Sequence, residues 1–158
     1  VNGPTRTNTA ELMRLLDIAR KEIGTAEEPP DSNRTKYGAW FGLDGQPWCW
    51  MFVSWCYYMA GLDLPKIGFT KPGFAGCQSA VKYFKEHGKI VKDPRPGDIV
   101  FYDFNGDGRS EHTGIFEKGI TTAMFYAIEG NTGIGNDSNG GKVMQRRRMY
   151  RKATFVRP

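Results

Sequence analysis

A chain of 158 residues, 39% of them apolar and 13% aromatic, can bury one domain-sized core without disulfide or metal staples, which excludes a disordered polypeptide. No stretch of about 18 apolar residues occurs, so neither a membrane-spanning helix nor stable membrane insertion is expected. Part of the net charge of +5 sits in one block, Arg146-Arg147-Arg148 with Arg151 and Lys152, but no basic helix or nucleic-acid-binding module accompanies it. Nucleic acid is therefore not an expected partner, and the block reads either as a solvated basic strand or as attraction to an anionic polymer or membrane surface.

Residues 1–7 read as a linker or tail. The chain starts at Val1, and its polar opening lacks the apolar segment of a signal peptide, so a processed product or a domain of something longer is expected. From 8 to 158 a single domain without internal repeats is expected. Asn8 followed by Glu11 resembles a capping box, and Leu12, Leu15, Leu16, Ala19 and Ile23 recur at helical spacing before Gly24. Residues 27–44 read as irregular, with Pro29-Pro30, a short apolar piece Tyr37 to Phe41 and a glycine-rich turn.

The next stretch is the most informative. After Pro47, Trp48 and Trp50 flank Cys49, and an apolar run continues through Phe52, Val53, Trp55 and Cys56 to Gly61. That pattern predicts a buried helix with Cys49 in its first turn, where unpaired N–H groups and the helix dipole favour a thiolate. Cys56 falls two turns further in and reads as a packed small hydrophobe. Gln46 and Trp48, just upstream, are candidates to shape a substrate groove, and the Gln46 amide could donate to an oxyanion. A third helix is predicted over 76–87, with His87 in its last turn as a surface residue. The three cysteines match no zinc spacing.

Beyond residue 88 the pattern changes to strands. Ile99 to Tyr102, His112 to Glu117, Phe125 to Glu129, Lys142 to Arg147 and Tyr150 to Val156 each read as β. Helices first and strands second predict an α+β domain, with N-terminal helices packed on an antiparallel sheet. Of the two histidines, His112 opens a strand and is the better base for a cysteine nucleophile. Glu129, or Asn131 two positions on and on the same face if the strand is regular, could orient it.

These residues carry a resemblance. Trp48-Cys49 with Phe52-Val53-Ser54-Trp55-Cys56, then Pro96-Gly97-Asp98-Ile99-Val100, His112-Thr113-Gly114-Ile115 and Ile128-Glu129-Gly130-Asn131-Thr132 resemble, in order, the motifs of the cysteine, histidine-dependent amidohydrolase/peptidase (CHAP) family. The resemblance spans about residues 10–155. It implies a papain-like enzyme that cuts amide or peptide bonds of bacterial peptidoglycan, as an endopeptidase or an N-acetylmuramoyl-L-alanine amidase, of phage-endolysin or autolysin type. By that resemblance Cys49 is the nucleophile, His112 the base and then acid, Glu129 its orienter and Asn131 a polar partner near the imidazole. The implied place of action is the bacterial cell wall, with anionic wall polymers as further partners and a monomer or lysin domain as the form. A thiol amidase or acyltransferase acting elsewhere, and a non-catalytic wall-binding domain, are the rival readings.

The chemistry needs no cofactor. However, Asp103, Asn105, Asp107, the Arg109 carbonyl and Glu111 follow the first half of a calcium loop, with Gly106 at its sharp turn. Gly114 stands where an EF-hand has its bidentate glutamate. A structural calcium ion in a turn that is not an EF-hand is the expectation.

Overall fold

The computed structural model describes residues 9–158, so the linker of residues 1–7 and the Asn8 cap lie outside the described residues. Four helices precede or enter a six-stranded sheet: α1 (Thr9–Lys21), α2 (Lys36–Phe41), α3 (Cys49–Met59), α4 (Cys77–Glu86), β1 (Ile90–Val91), β2 (Ile99–Tyr102), β3 (His112–Gly119), β4 (Met124–Thr132), β5 (Lys142–Met149) and β6 (Ala153–Val156). The sheet order is β1-β6-β2-β3-β4-β5, with every pair antiparallel. The α+β class expected from the sequence is the one observed. Among the described residues no helix is long and apolar enough to cross a membrane.

Strand alternation divides the core. Ile99, Phe101, Ile115, Ile128 and Val156 face α3 and join the main cluster with Trp50, Phe52, Val53 and Cys56. Their neighbours Val100, Tyr102, Phe116, Ala127 and Phe155 point the other way and form a smaller aromatic cluster with Phe125. α3 is apolar nearly all round because it is enclosed, with eight of its eleven residues buried. Helices α3 and α4 both end in Schellman motifs. Gly61 (φ +75°) and Gly88 (φ +67°) take the left-handed position, and the amides of Leu62 and Lys89 donate back to Tyr57 and Phe84.

Two local expectations need correction, and one short element was not anticipated. Residues 36–41 form a helix, capped by Thr35 Oγ1 accepting from the Gly38 amide and closed by Gly42 in the left-handed region. It is too short to show a helical period. Tyr150 does not begin a strand, because Tyr150–Lys152 make a 3₁₀ turn before β6. Ile90–Val91 form a short strand on β6 that a two-residue apolar pair does not announce.

Candidate active site

Cys49 is the first residue of α3, preceded by Trp48 as an N-cap whose side chain caps nothing. His112 is the first residue of β3 and pairs with Tyr102, while Glu129 lies near the end of β4. Pairing of β2, β3, β4 and β5 puts Tyr102, His112, Glu129 and Arg148 on one face of the sheet. Gly114 makes this possible: a Cβ there would come within 2.6 Å of Glu129 Cγ. Gly130 does the same on the other face, where a Cβ would meet Phe52 at 2.6 Å.

His112 and Glu129 are fully buried. His112 Nε2–H donates to Glu129 Oε1 at 2.9 Å, which leaves Nδ1, buried and without a hydrogen-bond partner, as the nitrogen available to Cys49. The hydrogen bond from the Cys77 thiol lowers the Cys49 pKa to about 5; burial opposes this, and His112 and the Trp50 amide assist. Burial alone would lower the His112 pKa, but Cys49 and Glu129 together raise it to about 9. Burial likewise opposes the Glu129 carboxylate, and Arg148 and His112 overcome it, holding its pKa near 2. All three shifts run in the direction that favours a thiolate–imidazolium pair backed by a carboxylate.

Arg148 corrects the reading of the basic block as solvated. Its Nε and Nη2 donate to Glu129 Oε2 and Oε1 at 2.9 and 2.6 Å, and Nη1 donates to Asp137 at 2.8 Å. The guanidinium lies 5.3 and 4.9 Å from the Tyr102 and Phe104 ring centroids. Arg146 also turns inward, to Thr132, Gly133 and Asp137, so only Arg147 of the triplet is exposed. Arg148 and Cys77 touch Glu129 and Cys49 and are not among the sequence candidates. A cysteine directly after Gly76, at a predicted helix start, was the available signal for Cys77. Arg148 had none, since its ladder partner on β4 is Phe125 and the reach of its side chain brings it to Glu129.

The remaining candidates separate. Asn131 does not reach the imidazole. A register shift between Glu129 and Thr132 and a left-handed Asn131 (φ +55°) break the alternation. Its side chain instead closes the following loop through Asn139 and the Gly141 amide. Trp48, expected at the substrate groove, is wholly enclosed, stacked on Tyr37 and donating to Glu27 at 3.2 Å. Gln46 is exposed before α3, without a side-chain hydrogen bond among the described residues. Cys56 is fully buried, and burial raises its pKa well above the usual thiol value. His87 is exposed, its Nδ1 bonded to the Tyr83 carbonyl and its ring stacked on Tyr83. No cysteine is in a disulfide.

The turn before His112 brings carboxylate oxygens of Asp103, Asp107 and Glu111 within 4.8 Å of one another. Asp103 accepts the amides of Gly106, Asp107 and Gly108, and Glu111 accepts that of Phe104. Asn105 and Arg109 are exposed in the same turn, where the Asn105 amide and the Arg109 N–H both donate to Asp107.

A family model described as the CHAP domain matches residues 41–131, more than half of the chain. The chain belongs to the CHAP family. CHAP domains are typically hydrolases and peptidases of the cell-wall type. The matched CHAP segment contains Cys49, Cys77, His112 and Glu129, and stops short of Arg148. Among solved structures, a Staphylococcus aureus Mu50 protein described as similar to a lipoprotein of the NLP/P60 family aligns with a TM-score of 0.48 and 16% identity, over 99% of this chain and 44% of that one. The chain thus spans less than half the length of that protein. A comparison with curated proteins finds no match.

Proposed function

We propose that the protein is a peptidoglycan hydrolase that cleaves an amide or peptide bond of the bacterial wall with Cys49 as nucleophile. The observation that carries this reading is the buried Glu129–His112 pair beside a Cys49 thiol whose pKa is lowered to about 5. The Cys49 thiolate attacks the carbonyl carbon, and the developing oxyanion is held by N–H groups at the start of α3, with the exposed Gln46 amide close in sequence. His112, protonated at Nδ1, gives that proton to the leaving amine as the C–N bond breaks. It then takes a proton from water, which hydrolyses the thioester and frees Cys49. Glu129 keeps the imidazole oriented and stabilises its charge, and Arg148 fixes Glu129. Asn131 acts at one remove, by shaping the loop after β4.

The net charge of +5 suits a wall rich in anionic polymers. A non-catalytic binder would have no use for an activated thiol, and burial of Arg148 with the pairing of Arg146 to Asp137 takes from it the centre of its basic patch. The same proposal gives the 103–111 turn a structural calcium ion, held by Asp103, Asp107 and Glu111 with Asn105 and the Arg109 carbonyl beside them. The donor set is oxygen throughout, as calcium requires. Its test is the melting temperature in calcium against chelator, for the parent and for Asp107→Asn. The shift is expected in the parent alone, and a parent that ignores calcium overturns it. Asp103 is unsuitable, because it also caps the turn.

The function is tested by digesting purified peptidoglycan and identifying the new termini by mass spectrometry. New amino termini are expected with the parent and none with Cys49→Ala. Intact wall in the presence of folded parent, with turnover of unrelated amides, would transfer the chemistry to a non-wall substrate.

A further inference from the structure

Cys77 is the first residue of α4, and its Sγ lies 3.9 Å from Cys49 Sγ. Both sulfurs are buried and neither is in a disulfide. At this separation one thiol donates to the other, and their surroundings decide which. Cys49 faces the His112 imidazole and the Trp50 amide, which both favour a negative sulfur. Cys77 is enclosed, and burial opposes a charge on its sulfur. The proton therefore stays on Cys77. The Trp50 indole N–H is buried without a hydrogen-bond partner, and its pull on the Cys77 pKa is downward but smaller than the upward push of burial and of Cys49.

The next residue ties the same helix start to the other half of the pair. Gln78 Oε1 accepts the Ser110 amide at 2.8 Å, two residues before His112. The beginning of α4 thus touches the Cys49 sulfur with one side chain and the approach to His112 with the next. Gly76, the N-cap, offers no side chain to the helix end.

We propose that Cys77 is a positioning residue of the active site, its S–H donating to the Cys49 sulfur so as to hold it as a thiolate directed at His112. The proposal rests on the reading of Cys49 as nucleophile. It gives Cys77 no contact with substrate. A neutral thiol is a weak donor, but a bond to an anion is stronger than one to a neutral acceptor, and here both partners are out of water.

The experiment follows alkylation of Cys49 by iodoacetamide against pH, resolved by mass spectrometry of the peptide that carries it. Wall hydrolysis is measured over the same range. Parent, Cys77→Ala, Cys77→Val and Cys77→Ser are compared, each checked for parent-like circular dichroism. Loss of the donor in Ala or Val is expected to move the acid limb of both profiles upward by about one to two pH units. Serine keeps a donor and is expected to restore most of the parent position. Valine replaces the sulfur's volume, so a collapsed Ala variant leaves the Val–Ser contrast intact. An unmoved acid limb in a folded Ala or Val variant overturns the proposal, as does a serine variant that behaves like them. Alkylation needs no substrate. A parent with a low-pKa Cys49 that leaves the wall intact would therefore sink the wall-hydrolase reading and leave this proposal standing.

Discussion

Cys49 and Cys56 lie on the same helix, two turns apart, and both are buried, yet their thiols are driven in opposite directions. Cys49 is lowered to about 5, and Cys56 is raised well above the ordinary value. Burial pushes both up; what differs is the company. Cys49 has the Cys77 thiol first and the His112 imidazole next, with the Trp50 amide at the helix start as a smaller aid. Cys56 has desolvation and the distant Glu22 carboxylate, which disfavours its thiolate further. A helix N-terminus alone is thus a minor part of the activation. The donors that matter arrive from α4 and β3.

Removing the favoured sulfur is the hardest test of this contrast. Cys49→Ala is expected to lower wall hydrolysis by at least about 10⁴-fold, with a circular dichroism spectrum like the parent's. Release of soluble wall fragments measures it. A folded variant that retains activity would leave Cys49 and Cys56 without a functional difference.

Alkylation gives the next largest effect. With the Cys49 thiol near 5 and that of Cys56 raised well above the usual thiol value and fully buried, Cys49 is expected to react with iodoacetamide more than about a hundredfold faster than Cys56 at pH 7. The sign follows from the lowered value: the thiolate is present above about 5 and is lost as pH falls through it. Hydrolysis adds a second limb. His112 holds its proton up to about 9, so the rate falls again as the general acid is lost above that pH. Equal reactivity of the two cysteines would refute the thiolate–imidazolium pair.

Arg148 tests the support behind that pair. Arg148→Met strips both guanidinium bonds from a fully buried Glu129 and is expected to destabilise the fold by about 3–5 kcal/mol. For a domain this size that is a fall in melting temperature of about 10 °C. Glu129, held near 2 in the fold, contributes its stabilisation above the ordinary carboxylate value. It loses that contribution as pH falls from about 4 towards 2. The melting temperatures of parent and Arg148→Met should therefore converge in acid. A constant gap across that range would assign the loss to packing.

What the sequence carried and what it hid follow from the range of the forces involved. The α3 helix, the β2–β4 strands and the Cys49–His112–Glu129 set were legible, because periodicity and motif order are local. Arg148 was not. It stands between Arg147 and Met149 in a strand whose charged neighbours look alike, its ladder partner on β4 is Phe125, and only its long side chain brings the guanidinium to Glu129 on the same face. Asn131 was misplaced because its expected position assumed regular alternation, and a bulge is invisible to that count. Trp48 was misjudged by its nearness to Cys49 in sequence. One residue along a helix start turns a side chain from the site to the core, where Glu27 takes its indole N–H.

The smallest effect belongs to the disfavoured sulfur. Cys56 is fully buried among core side chains, so Cys56→Ala removes one sulfur's worth of packing. That is expected to destabilise by about 1 kcal/mol, or about 2–4 °C in melting temperature, and leave the hydrolysis rate unchanged. The same substitution at Cys77 should cost comparable packing but also move the acid limb of the profile, because Cys77, unlike Cys56, touches the Cys49 sulfur. A fall in rate of more than about tenfold in folded Cys56→Ala would mean that α3 transmits its interior packing to the Cys49 sulfur. The contrast between the two ends of that helix would then lie in the helix itself and not in its neighbours.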